Sequence, residues 1–362
     1  MEKRYANLLV NYCLDLVKGD KLLIRTTTLA EPLVKEVYRL ALRKGAHVVV
    51  DLSFQEANRI FFEESNDEQL SWISPMLETA MQNFSAYLAI KAPFNLRDDQ
   101  SVDPEKRKIR SKALTDLNQT YFRRTADRSL KRSLCQYPTN AAAQQAGMSL
   151  EEYQRFVYNA CRLYDDDPIA SWVAVRNEQS RIVDFLNEVS EVRYLNHRTD
   201  IRFSVKGRTW INSDGQTNMP SGEVYSSAVE DSVEGTVHFD FPSIYMGHTI
   251  QGITLEVKNG EVKKWNAIAG QEFLDQLFAI PGAKRFGEVA IGTNYNISIP
   301  TGNILFDEKI GGTIHMAVGQ SYFQTGGKNE SPIHWDMIAD MSDGGKIFAD
   351  DELIYESGKF LI

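Results

Sequence analysis

His334-Trp335-Asp336 places an imidazole and a carboxylate two residues apart, and on a β-strand residues at that spacing point to the same side. Neutral imidazole and carboxylate are the nitrogen and oxygen ligands of zinc and its neighbours, so such a pair can grip a cation. By itself the pattern is more often that of a hydrogen-bonded structural pair. Further acids and histidines occur in comparable settings. Pro220-Ser221-Gly222-Glu223-Val224 puts a carboxylate directly after a glycine turn, and Phe286-Gly287-Glu288-Val289-Ala290 repeats Gly-Glu-Val. An acid entering an apolar strand is costly to bury unless it is paired or bound to a cation; on an edge strand it simply points into water. Ile314-His315-Met316-Ala317-Val318 adds a histidine inside an apolar strand, with Tyr322 seven residues on.

The elements that must carry these residues are short. Of 23 glycines only Gly19, Gly45 and Gly147 precede residue 200, which makes the chain helix-rich first and strand-rich later. In the first part Glu2 to Val17 reads as an amphipathic helix with Tyr5, Leu8, Leu9, Tyr12 and Leu16 on one stripe. Lys21 to Arg25 reads as a strand, Leu29 to Lys44 as a helix, and His47 to Leu52 as a β-branched strand covered on both faces. Ala86 to Ile90 is another strand, Asp103 to Leu117 a helix, and Ser149 with Glu152 a capping box that opens one more. Strand, helix, strand predicts a Rossmann-like α/β domain over residues 1–198. It lacks G-x-G-x-x-G after the first strand and the chain has no G-x-x-x-x-G-K-[ST], so neither dinucleotide nor P-loop chemistry is indicated.

From Thr199 the pattern changes to short β-branched runs: Ile201 to Val205, Thr236 to Phe239, Thr254 to Val257, Glu288 to Ile291 and Thr313 to Val318. They predict a β-rich domain over residues 199–362, mostly antiparallel, as a half-closed barrel or a sandwich, with helix only around Gln271 to Phe278. Asn259-Gly260 is its clearest hairpin turn. The fold class is therefore α/β plus α+β, and the candidate chemistry falls in the second domain. Asp165-Asp166-Asp167 reads as a solvated helix terminus, with Pro168 as the stop, and His47 and His197 read as structural.

Composition narrows the function classes. The formal net charge is -9; residues 1–200 hold 28 Lys/Arg and 28 Asp/Glu, whereas residues 201–362 hold 12 and 21. That excludes a sequence-independent grip on nucleic acid or an anionic membrane, and leaves a solvated acidic surface or a carboxylate-rich cavity for cations. No stretch approaches the roughly 20 apolar residues of a membrane span, and the opening run is a helix rather than a signal peptide. Three cysteines without C-x-x-C spacing suit a reduced, cytoplasmic setting.

With these residues in view, the chain resembles the M29 metalloaminopeptidases, the aminopeptidase T and aminopeptidase S group. The likeness rests on Met219-Pro220-Ser221-Gly222-Glu223-Val224, Phe286-Gly287-Glu288-Val289-Ala290, Gly312-Thr313-Ile314-His315-Met316-Ala317-Val318-Gly319-Gln320-Ser321-Tyr322 and Asn329-Glu330-Ser331-Pro332-Ile333-His334-Trp335-Asp336-Met337. The opening segments Tyr5 to Val10 and Lys18 to Ile24, and Met148 to Cys161, extend it over nearly the whole chain. The resemblance implies metal ligands at Glu223, Glu288, His315, His334 and Asp336, with Tyr322 as an active-site tyrosine. It departs at one point: family members often carry an acid five residues before the first histidine, and here the nearest, Glu308, stands seven before His315. Gly311-Gly312 permits the bulge or tight turn that would bring Glu308 back as ligand or base. Glu330 reads as a loop acid.

Three carboxylates and two histidines exceed what one zinc uses and suit two divalent ions about 3.5 to 4 Å apart with one bridging carboxylate, for which Glu288 is the nominee. Zinc comes first, with cobalt, manganese or magnesium also admitted by mixed ligands. Such a pair acidifies a shared water for peptide hydrolysis, and an acidic cavity favours the free amine of a peptide N-terminus. Tyr322 then serves the oxyanion, and Glu308 or a metal ligand serves the proton transfer. The resemblance also implies a homodimer. Two rival readings stand: a mononuclear iron ring-cleaving dioxygenase of the dihydroxypyridine type, needing only His315, His334 and Asp336, and a catalytically silent binding protein. Glu223 and Glu288 argue against the first, and an intact ligand set against the second.

Overall fold

Alternating helix and strand in the first part force parallel pairing, because parallel neighbours need a crossover between them. A computed structural model describes residues 1–98, 100 and 102–362 and divides into two units: residues 1–169 with 215–220, and residues 170–214 with 221–362. The first unit holds a five-stranded parallel sheet in the order His47–Ser53, Lys21–Thr27, Ala86–Lys91, Lys131–Gln136, Asn218–Met219. Its last strand comes from beyond residue 199, where the strand-rich sequence has already begun.

Burial follows from that order. Lys21–Thr27 has neighbours on both sides and hides Leu22, Leu23 and Ile24. His47–Ser53 is an edge strand with no fully buried residue, so the expectation of a strand covered on both faces is corrected: its β-branched run is only half covered. The first helix is also shorter than its apolar stripe suggests. It runs Glu2–Leu8, widens into a π-helical turn over Leu9–Cys13 and stops, because Asp15 takes a left-handed φ of 42° and the Asp20 carboxylate accepts the Val17 N–H at 2.8 Å. The stripe residues Tyr5, Leu8, Leu9, Tyr12 and Leu16 are nevertheless all buried. The single helix expected over Asp103 to Leu117 is two, Pro104–Ala113 and Thr115–Ala126, parted at Leu114.

The second unit contains two large antiparallel sheets, besides a two-stranded ribbon of Ser243–Tyr245 and His248–Ile250. One has eight strands, in the order Glu261–Asn266, Ile253–Lys258, Glu234–Phe239, Asp200–Ser204, Glu191–Leu195, Lys346–Ala349, Glu352–Glu356, Lys359–Phe360. The other has five, in the order His334–Asp340, Thr313–Gly319, Phe286–Gly292, Glu223–Ser226, Ile211–Ser213. Tyr194, Phe203, Val237 and Leu255 from the first share one core with Val224, Val289, Met316 and Trp335 from the second. That arrangement is a sandwich. Leu274, Leu277 and Phe278 of helix Gln271–Phe278, and Ile182, Val183 and Leu186 of helix Pro168–Leu186, complete the core. The latter contribution places most of that helix in the second unit. Asn259 and Gly260 both take left-handed φ, 53° and 71°, the type I′ turn their sequence calls for. One helix was not anticipated in this half, the short Ile304–Asp307.

Ser149 caps Leu150–Ala160 with both bonds of a capping box, its hydroxyl accepting from the Glu152 N–H and the Glu152 carboxylate from its own N–H. Ser149→Ala should lower stability by about 1 kcal/mol, read as a lower midpoint of urea unfolding at unchanged slope.

Candidate metal centre

Strand alternation sorts the five-stranded sheet into two faces. Toward the core go Val224, Val289, Ile291, Ile314, Met316, Val318, Trp335, Met337 and Ala339. Toward the other face go Glu223, Tyr225, Glu288, Ala290, His315, Ala317, His334 and Asp336 by the same two-residue period. Registers set their spacing: Glu288 lies opposite Ala317, which lies opposite Asp336, while Ala290 lies opposite both Tyr225 and His315. Ala290 and Ala317 are the small members of each row, and their short side chains leave room above the sheet for the long ones.

One irregularity is essential to this sorting. Phe286 and Glu288 would share a face on a regular strand, yet Phe286 belongs to the core. The register shifts between them, Phe286 opposing Val318 and Glu288 opposing Ala317, so Gly287 is the extra residue of a β-bulge that turns Glu288 to the other side. A Cβ on Gly287 would run into the Gln320 carbonyl oxygen, so the position requires glycine. Gly222, before Glu223, has φ 114° and lies where a Cβ would meet the Asn294 Cβ at 2.7 Å. The repeated Gly-Glu-Val thus has two distinct physical causes.

The side chains converge. His315 Nε2 is 3.3 Å from Glu223 Oε2 and 3.8 Å from Glu288 Oε1. His334 Nε2 is 3.0 Å from Glu288 Oε2 and 3.5 Å from Asp336 Oδ1. Three sets of donor atoms come within 4.8 Å of one another: Glu223, Glu288 and His315; Glu288, His334 and Asp336; Glu308, His315 and Asp336. The Gln320 carbonyl lies 2.7 Å from His334 Nδ1 and accepts its proton, leaving the Nε2 lone pair to face the cluster. Glu223 Oε2, both His315 nitrogens and Asp336 Oδ1 are buried without a hydrogen-bond partner. Orphaned acceptors and imidazoles aimed at a common space suit a hard or borderline cation, and the residues fit the divalent metal that the resemblance implies.

Glu308 reaches this cluster despite its longer spacing. Helix Ile304–Asp307 ends beneath it, and the Asp307 carboxylate accepts the Thr301 and Gly302 N–H groups, each at 2.8 Å, fixing the turn that aims Glu308. The residue that sequence reasoning missed is its neighbour Lys309. Its side chain is completely buried, its Nζ donates to Glu308 Oε1 and stands 3.4 Å from Glu223 Oε1. A lone lysine between the apolar Leu305-Phe306 and Ile310 was the available signal. Tyr225 was missed as well, although it follows Glu223 by two and so shares its face; its ring meets Tyr322 edge-on at 5.6 Å. Tyr322 is about a third exposed, with its hydroxyl 3.4 Å from His334 Nε2.

Charge explains the protonation. Desolvation works against a charged His315, but Glu288, Glu223 and Asp336 overcome it and push its pKa up to about 9. Burial likewise opposes the His334 imidazolium, and Asp336 and Glu288 raise it well above the ordinary value. Burial and the nearby Glu223 and Asp336 raise Glu308 to about 7, against the pull of Lys309. Burial together with Glu288, Asp336 and Glu308 keeps the Tyr322 phenol protonated. Such a field draws protons because it lacks positive charge, and a divalent cation meets the same need.

The discarded candidates lie elsewhere. Asp167 accepts the Ile169 N–H at 3.0 Å at the start of helix Pro168–Leu186, so Pro168 opens a helix rather than stopping one. His47, His197 and Glu330 are exposed.

Comparison with known proteins follows the same lines. The family model described as thermophilic metalloprotease (M29) matches residues 1–360. Aminopeptidase 2 of Geobacillus stearothermophilus is 29% identical, over 99% of this chain and 97% of its own. The solved structure of wild-type AmpT from Thermus thermophilus superposes with a TM-score of 0.85 at 23% identity, covering 100% of this chain and 99% of that one. A 2,5-dihydroxypyridine dioxygenase from Pseudomonas putida KT2440 gives 0.58 at 14% identity, over 99% and 96%. At such identities the two structures speak for the fold alone.

Ligation requires neutral imidazole, and the metal-free His315 holds its proton up to about pH 9. Zinc uptake at pH 7 should therefore expel protons, and apparent affinity should climb as pH rises toward 9. Calorimetry in buffers of different ionisation enthalpy measures the release; uptake without net proton loss contradicts the expectation.

Proposed function

Because this chain belongs to the thermophilic metalloprotease (M29) family, we propose that it is a metal-dependent aminopeptidase that removes the N-terminal residue of oligopeptides with two divalent ions. Glu223 and His315 would hold one ion and His334 and Asp336 the other, with Glu288 within reach of both. The carrying observation is the position of Glu288, whose Oε1 faces His315 and whose Oε2 faces His334. Ions held there, zinc first and cobalt, manganese or magnesium as alternatives, supply an acidified water and polarise the scissile carbonyl.

The chain's own residues do the rest. Glu308, a carboxyl balanced near neutrality, takes a proton from the attacking water and returns it to the leaving amine. The Tyr322 hydroxyl, protonated at the rim of the cluster, donates to the developing oxyanion. The carboxylates attract the ammonium of a free N-terminus. A mononuclear dioxygenase site would leave Glu223 and Glu288 without a role, and a silent binding protein would leave the whole set so. The strand order of the first unit, with helices as crossovers, supports a Rossmann-like reading of that unit. The buried thiols of Cys13, Cys135 and Cys161 support a reduced, cytoplasmic setting, and the resemblance supports a homodimer.

Blocking the amine tests the exopeptidase reading: a short peptide should be hydrolysed and its N-acetyl form left intact, and equal rates for the two would refute it. The roles separate by substitution. Glu288→Gln should lose metal as well as rate, since a neutral amide is a poor ligand for a hard cation. Glu308→Gln should keep its metal content and lower kcat by roughly 10²- to 10⁴-fold. Metal analysis alongside kinetics checks both.

A further inference from the structure

Lys309 is a buried cation set against a cation site. A lysine without exposure is costly, and here it is held by two carboxylates, Glu308 and Glu223. Its ammonium engages Oε1 of Glu223, while Oε2 of the same group faces His315 and has no hydrogen-bond partner. The opposite half of the cluster differs. Among the described residues, no lysine or arginine forms an ion pair with Glu288 or Asp336, whose close partners are histidines. The two groups of donors that share Glu288 are thus electrostatically unequal: Lys309 contacts a carboxylate of one, Glu223, and acts on Asp336 of the other only at longer range.

We propose that Lys309 splits the two metal positions into a tight one at Glu288, His334 and Asp336 and a weak one at Glu223, Glu288 and His315. The inference rests on the two-ion reading above. A positive charge beside a cation site opposes the incoming ion by direct repulsion, and it also competes for one of the Glu223 oxygens. By the same contact Lys309 holds Glu308 Oε1. That keeps a carboxylate able to join His315 and Asp336 as a donor out of the ligand set, and so available for proton transfer. Lys309 is a positioning residue: it acts on the centre through Glu223 and Glu308.

The test is zinc binding by the metal-free full chain, in competition with a chromophoric chelator, with metal content measured after dialysis. Wild type should retain one ion per chain and take up a second at least about tenfold more weakly. Lys309→Met should tighten that second step by about tenfold or more, with a smaller change in the first, and Lys309→Arg should preserve the gap. Two equal steps in wild type overturn the proposal, as does a second step that Lys309→Met leaves where it was. Should Lys309→Met fail to fold, two other substitutions assign the steps. Glu223→Gln should abolish the weak step and spare the tight one, and Asp336→Asn should impair the tight one; the reverse pattern overturns the assignment. Failure of the two-ion reading looks different, because wild type and Lys309→Met then both saturate at one zinc per chain or take up none, and the proposal falls with it.

Discussion

Four carboxylates, Glu223, Glu288, Glu308 and Asp336, occupy one recess above a β-sheet, three of them buried and Glu308 nearly so. Like charges so placed repel and have lost most of their water, an arrangement that survives only with positive charge among them. In the metal-free chain that charge comes from Lys309 and from imidazoles that hold their protons above the usual range. Much of the surrounding architecture serves this requirement. Strand registers bring the donors into rows, alanines leave the space above them, and a short helix carries Glu308 and Lys309 in from the side.

The same sheet separates stability from chemistry by face. Its inner face contributes Val289, Met316, Trp335 and their neighbours to the shared core, where burial of apolar area is the main favourable contribution. Its outer face carries groups that oppose folding. Because the two sets alternate residue by residue, the core can pin the position of each donor through the backbone without touching it. That explains how a centre of repelling groups stays ordered, and how chains of 14% identity keep the fold: the inner face asks only for apolar residues of suitable size.

Where a rule of fixed period applied, the sequence was legible. His334 and Asp336 share a face because they are two apart, and the strands, the Asn259-Gly260 turn and the Ser149 cap lie where local chemistry put them. What failed to show were features decided by tertiary context. The edge position of His47–Ser53 depends on strand order, and the early end of the first helix depends on Asp20, a residue outside it. Lys309 looked like a surface lysine beside an acid, and only its apolar flanks, Leu305-Phe306 and Ile310, hinted that its side chain has no exposure. The surplus negative charge after residue 200 was ambiguous because both readings hold: of 21 acids only four meet in the recess.

The bulge at Gly287 has a consequence for how such a protein can vary. In these strands a side chain's destination is decided by parity, odd or even along the run, and the bulge is the single step at which parity is reset between Phe286 and Glu288. Were the strand paired regularly with Gly287 retained, Glu288 would turn toward the apolar core and Val289 toward the recess, exchanging the two faces for the remainder of the strand. Gain or loss of one residue within these strands is therefore a far graver change than most substitutions. Loops carry no such parity, and the lengthened stretch between Glu308 and His315 lies in one, where drift in length leaves the sheet's alternation untouched.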